Sequence, residues 1–280
     1  MHYTHNSAPT QFIDADGVRY AYRRFGTASG TPVLFLAHFR AGLDNWDPAV
    51  VDGIAQHHPV ILFNNAGVAS SGGKPADTVA GMAQHVITFL LALGLDKVDI
   101  LGFSLGGFVA QQVATDRPGM VRRLILAGTG PQGGEGMAEY IPEVTRHAIQ
   151  EVPTEDNFLY LFFEPTASSQ AAGRAFWERR HQRQDADTPS SMAAMAAQAA
   201  AIGAWGAVPA ANRYAQLKAI TQPVLIANGH NDVMVPSINS FIMQQTIPNA
   251  TLILYPDSGH GAIFQHHAEF VAHANLFLAK

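Results

Sequence analysis

Val98-Asp99-Ile100-Leu101-Gly102-Phe103-Ser104-Leu105-Gly106-Gly107 is an apolar run that ends in the pattern G-x-S-x-G and passes into Phe108 to Ala114, where apolar residues recur at helical spacing. The first part reads as a short buried strand and the last as a helix, so Ser104 falls on the turn between them. A turn that sharp forces its central residue toward an unfavourable backbone conformation. The chain can pass close by only if the positions two before and two after lack side chains, a need that Gly102 and Gly106 meet. The hydroxyl is then lifted above the sheet and faces the first amides of the helix, where the partial positive charge of a helix start favours an anion. Ser104 is the candidate nucleophile.

A serine hydroxyl is a poor nucleophile at neutral pH; it needs a histidine to take its proton and a carboxylate to orient that histidine. Downstream, the strand-like run Pro223 to Asn228 is followed by Gly229-His230-Asn231-Asp232, and Thr251 to Tyr255 is followed by Asp257-Ser258-Gly259-His260. Asp232 and His260 are the candidate acid and base, each past the carboxyl end of a predicted strand, where open α/β sheets collect their ligands. Asp257 shares a loop with His260 and is poorly placed to reach the far side of the imidazole, and Asp99 lies inside the nucleophile strand.

The chain order Ser104, Asp232, His260 matches the order of roles in the α/β-hydrolase fold superfamily, and the chain resembles that superfamily's single-domain esterase, lactonase and cofactor-free haloperoxidase-like branch. The resemblance is carried by Val33 to Trp46 (a strand and a loop), by Val60 to Ser71 (a strand and a turn similar to D-x-x-G-x-G-x-S), by the G-x-S-x-G turn, and by both downstream stretches. It implies a mostly parallel eight-stranded sheet flanked by helices, with a helical cap insertion, and hydrolysis of a carboxylic ester or lactone of a small, largely apolar substrate without a cofactor. It also implies that His38-Phe39-Arg40 stands where the family carries H-G-x, so that the amides of Arg40 and Leu105 form the oxyanion hole. Phe39 departs from the family's glycine, and Asn64 from its aspartate. Haloalkane dehalogenases and epoxide hydrolases of this fold carry aspartate where Ser104 stands, and the serine argues against both. Peracid formation, carbon–carbon cleavage of keto-dienoates, amide hydrolysis and ligand reception on a retained scaffold stay open.

The bulk properties narrow the field further. The chain of 280 residues is long enough for one large α/β domain with an insertion. A charged fraction of 14% and a formal charge of -5 argue against nucleic-acid and anionic-membrane partners. The absence of cysteine removes disulfides, thiol nucleophiles and thiolate metal sites together. The 13 histidines show no H-E-x-x-H or comparable spacing, so no metal is expected. Residues 1–10 have no apolar signal-like core and no segment reaches the ~18 uninterrupted apolar residues of a spanning helix, which makes cytoplasmic the expected location. The expected partner is a small-molecule ester or lactone, and a homo-oligomer stays open.

In chain order, Gln11 to Ile13 and Val18 to Phe25 suggest a hairpin, Pro32 to Ala37 a buried strand, Ala49 to Ala55 a helix, Val60 to Phe63 a strand and Thr78 to Leu93 an amphipathic helix ending at Gly94. After the strand Val121 to Ala127 the βα alternation stops. Helical patterns follow over Met137 to Glu151, Glu155 to Phe163, Ser168 to Gln184 and Pro189 to Trp205, before alternation returns. Residues 131–215 are therefore expected to form a helical cap on a core of 1–130 and 216–280. Its aromatic and methionine residues, Phe158 to Phe163, Phe176, Trp177, Met192, Met195 and Trp205 among them, predict an apolar pocket roof. Phe39, Phe162 and Trp205 are the expected substrate contacts. His38 is expected to be a structural, hydrogen-bonded loop residue.

Overall fold

The hairpin forms over β1 (Gln11–Ala15) and β2 (Val18–Gly26), with Asp16 and Gly17 both at positive φ in the turn. This computed structural model describes residues 3–280. Six further strands complete one sheet: β3 (Val33–Leu36), β4 (Pro59–Phe63), β5 (Val98–Phe103), β6 (Val121–Ala127), β7 (Val224–Gly229) and β8 (Ala250–Tyr255). The spatial order is β1-β2-β4-β3-β5-β6-β7-β8. β2 runs antiparallel to β1 and β4, and all the other pairs are parallel. β3, β4, β5 and β7 are buried along their whole length, as continuous apolar strands must be when helices cover both faces of a parallel sheet.

The helices among the described residues are α1 (Pro48–Ala55), α2 (Val79–Ala92), α3 (Leu105–Asp116), α4 (Pro142–Ala148), α5 (Glu155–Phe162), α6 (Ala167–Arg180), α7 (Met192–Gly206), α8 (Ile238–Thr246), α9 (Ala262–Gln265) and α10 (His267–Leu278). Alternation along β3 splits the core in two. Leu34 and Leu36 join the layer under α2, α3 and α8, while Val33 and Phe35 join the layer under α1, α9 and α10. Local chemistry sets the ends: Thr78 accepts from the Gly81 amide at the start of α2, and Asp47 accepts from the Ala49 amide at the start of α1, with Pro48 in the first position.

Between β6 and β7 the chain forms α4 to α7 and no strand. All four of these helices are shorter than their patterns suggest, α5 by one residue only. α4 begins only at Pro142, whose fixed φ suits a first helical position and whose ring holds the preceding Ile141 out of the helical region, at ψ 143°. α6 ends at Arg180 and α7 starts at Met192, capped by Ser191, leaving residues 181–191 as a loop.

The order β4-β3-β5 reverses direction across the sheet. Connections diverge there, and a crevice opens beyond the carboxyl ends of β3 and β5. His38 and Phe39 leave one strand at that point and Ser104 leaves the other.

Candidate active site

Ser104 has φ 55° and ψ -121°, a strained conformation for a residue with a side chain. Its amide donates to the Ala127 carbonyl at 2.9 Å and its carbonyl accepts from Thr129 Oγ1 at 2.8 Å, so β6 and the segment after it hold the turn in place. The flanking glycines permit contacts that no other residue allows. A Cβ on Gly102 would collide with the Gly106 carbonyl, and one on Gly106 with the Leu36 carbonyl at the end of β3. α3 therefore starts directly against β3. The Leu105 amide, first in that helix, has no acceptor one turn earlier in the helix and points out of its end.

His260 and Asp232 meet although their loops leave different strands. His260 Nδ1 donates to Asp232 Oδ2 at 2.7 Å. The other oxygen of Asp232 accepts from the amides of Met234 at 2.8 Å and Val235 at 2.9 Å, which fixes the carboxylate in a loop braced by Ser237. With its proton on Nδ1, the ring presents a bare Nε2. That atom is buried without a hydrogen-bond partner among the described residues, and His260 shares a cavity wall with Ser104. Phe103 and Phe162, with centroids 4.9 and 5.2 Å from the imidazole, hold the ring on its other sides. The other two nearby acids are engaged elsewhere. Asp257 accepts from Thr166 and Ser168 at the start of α6, and Asp99 is paired with Arg122.

The loop after β3 differs from the expectation for Arg40. His38 to Ala41 form a tight turn closed by the Ala41 amide on the His38 carbonyl at 3.1 Å, with Arg40 at φ 64°. That torsion aims the Arg40 amide at α7, where Gln198 Oε1 accepts it at 2.6 Å. The Arg40 amide is thus already satisfied by protein, and its guanidinium donates to the carbonyls of Ala148, Gln150 and Glu151. The preceding amide, that of Phe39, has no acceptor among the described residues. His38 donates from Nδ1 to the Phe39 carbonyl at 3.0 Å. Burial, reinforced by the nearby Arg180 charge, lowers its pKa to about 3, so the ring is neutral at physiological pH.

A cavity of about 400 Å³ opens over Ser104 and His260. Phe39, Phe158, Leu161, Phe162 and Trp177 give it an apolar wall. Trp205 is not part of that wall. Its indole stacks on Phe108 at 5.3 Å and its Nε1 donates to the Gly130 carbonyl at 3.4 Å, burying it between α7 and α3. Phe176 likewise packs into the core, stacked on Phe264 at 4.5 Å, and Met192 is exposed. Residue type marks an aromatic as buried but does not say against what.

The polar lining is the part that sequence reasoning missed. Arg180, Arg183, Asp187 and Ser190 all face the cavity. Little in the sequence signalled Arg180: Ser169, Gly173, Phe176 and Arg180 are the buried residues of α6 and fall on one helical stripe, but only Phe176 among them is large and apolar, so no hydrophobic periodicity marks that face. Among the described residues no group of three or more His, Asp or Glu side chains gathers as a metal site, and no helix is long and apolar enough to cross a membrane.

Comparison with known proteins agrees with this architecture. The family model described as alpha/beta hydrolase fold matches residues 31–267. A solved structure, an alpha/beta hydrolase fold protein from Chitinophaga pinensis, is 37% identical and superposes with a TM-score of 0.93 over 99% of each chain. The pimeloyl-[acyl-carrier protein] methyl ester esterase of Nitrosomonas europaea is 24% identical over 88% of this chain and 95% of its own length. The dihydrolipoyllysine-residue acetyltransferase component of the acetoin cleaving system of Cupriavidus necator is 28% identical over 91% of this chain, which spans 65% of that relative's length. With the sheet order, the strained serine turn and a family match over most of its length, the chain belongs to the alpha/beta hydrolase fold family.

Proposed function

We propose that the protein is a serine hydrolase that cleaves a carboxylic ester or lactone of a small, largely apolar substrate through an acyl-enzyme on Ser104. The observation that carries this reading is the buried, unpartnered Nε2 of His260, on a ring that Asp232 orients and that lines the same cavity as Ser104. In this mechanism Nε2 takes the Ser104 proton as the hydroxyl attacks the acyl carbon. The Leu105 amide and the Phe39 amide hold the oxyanion; Phe39 replaces Arg40 in that role because the Arg40 amide is taken by Gln198. Collapse of the tetrahedral intermediate expels the alcohol, which leaves with the proton from His260. A water molecule, deprotonated by the same nitrogen, then frees the acid. Residues 131–215 act as the cap on a core of 1–130 and 216–280, with Phe39 and Phe162 contacting the substrate.

The name of the Nitrosomonas europaea relative, a methyl ester esterase, supports ester chemistry. The test is hydrolysis of p-nitrophenyl esters from acetate to decanoate by the wild type, Ser104→Ala and His260→Ala. Each variant is expected to lose at least about 10³-fold in kcat. Turnover that survives in Ser104→Ala would overturn the assignment.

A further inference from the structure

Arg180 is 8% exposed and lines the cavity, yet it makes no hydrogen bond or ion pair with any described residue, and its Nη1 is buried without a partner. A buried guanidinium is normally paired, because taking the charge out of water is costly unless an anion answers it. The other two arginines on this wall are used up. Arg40 donates to three backbone carbonyls, and Arg183 to Asp185 and the His5 carbonyl. Of the three acids on the wall, Asp44, whose charge also reaches Arg180, is bonded to Arg23 and the Asp187 amide, Asp187 is bonded to Asn64, and Glu151 is exposed to solvent.

What Arg180 does touch is aromatic. Its guanidinium carbon lies 4.4 Å from the Phe158 ring centroid and 5.1 Å from that of Trp177. Such stacking covers the face of the guanidinium and fixes its plane, while the N–H groups radiate from the edge, the direction from which a carboxylate binds. Burial lowers the arginine's pKa to about 10, so it remains a cation at neutral pH. The Ser190 hydroxyl, also buried and without a partner, adds a second donor to the same cavity.

Position selects which part of a substrate Arg180 meets. Phe158 contacts both Arg180 and His38, its ring centroid 6.1 Å from that of His38, and Phe162 packs against both His38 and His260. Arg180 thus sits against Phe158 and Trp177, and His260 against Phe103 and Phe162, on the wall of one cavity. We propose that the substrate carries a free carboxylate remote from the ester bond to be cut, and that Arg180 is the side chain that receives it. This rests on the reading of the cavity as the acyl-transfer site and narrows its substrate class to acid esters, such as monoesters of medium-length dicarboxylic acids.

The experiment compares kcat/KM for monoethyl adipate and monoethyl suberate with that for ethyl hexanoate and ethyl octanoate, which match them in chain length and lack only the carboxylate. The wild type is expected to favour the acid esters at least about tenfold, a charge-assisted hydrogen bond being sufficient for that ratio. Arg180→Met should reduce the ratio to one or below, and Arg180→Lys should keep part of it. As a binding readout independent of turnover, Ser104→Ala is titrated calorimetrically with adipate and suberate. It should bind one of them, and adding Arg180→Met should weaken that binding about tenfold or more. If Arg180→Met does not fold, the wild-type ratio, the Ser104→Ala titration and Arg180→Lys decide. Serine-dependent turnover that favours the neutral esters, or a ratio unmoved by either Arg180 variant, overturns the proposal and leaves the serine mechanism standing. Absence of ester turnover, or turnover that survives Ser104→Ala, strikes the mechanism itself.

Discussion

His38 is 8% exposed, and burial lowers its pKa from 6.5 to about 3. In the unfolded chain the imidazole titrates at its ordinary value. Between pH 6.5 and about 3 unfolding therefore takes up a proton, and stability falls as the solution is acidified through that window. The slope is at most about 1.4 kcal/mol per pH unit for this one group. The stability lost between pH 7 and pH 5, measured by urea unfolding, should be smaller in His38→Gln than in the wild type; an equal loss would mean that His38 titrates normally in the fold. Residue-scale legibility was uneven around this histidine. Ser104, Asp232 and His260 stood out in the sequence because acyl transfer asks for particular side chains in a fixed chain order; the fold brings Asp232 and His260 into contact and sets Ser104 and His260 on one cavity wall. The direction of a backbone amide has no such signature. It depended on Arg40 taking φ 64°, a torsion more often met by glycine, and nothing in the residue's identity announced it.

At the scale of elements, the junction of α1 with α6 rests on Asp47. Its carboxylate is fully buried; it caps α1 through the Ala49 amide and accepts two hydrogen bonds from Arg179, at 2.6 and 2.9 Å. Asp47→Ala removes the cap and strands a guanidinium that is three-quarters buried. The expected cost is about 2–4 kcal/mol, below the full range for a buried pair because Arg179 retains some solvent. A urea midpoint shifted by less than about 0.5 kcal/mol equivalent would show the pair to be idle. Strands and most core helices were legible within a residue or two because their period and their turn residues agree, although α3 starts three residues before its apolar pattern and the single turn of α9 was not expected. The segment between β6 and β7 was less so. Alanine-rich sequence forms a helix in almost any register, so where α7 begins was settled by the Ser191 cap, and which side of α6 faced inward by packing against the core.

At the scale of the molecule, the segment 131–215 is tied to the rest at well-separated points: Arg179 to Asp47, Thr166 and Ser168 to Asp257, Arg183 to the His5 carbonyl, and Gln198 to the Arg40 amide. It should not melt by itself. Of the three tryptophans, Trp177 and Trp205 lie in this segment and Trp46 in the sheet core. Fluorescence and far-UV circular dichroism should therefore report one coincident thermal transition, and an early fluorescence step would reveal independent unfolding. The Gln198 contact has a further consequence, for how such a protein can be recombined. A helical insert bounded by two strands looks like an exchangeable cassette, but here the insert reaches down and holds the backbone of the loop beside Ser104. A chimaera that keeps the sheet and borrows another insert would change the loop beside Ser104 along with the pocket, unless a glutamine or its equivalent travels with the graft.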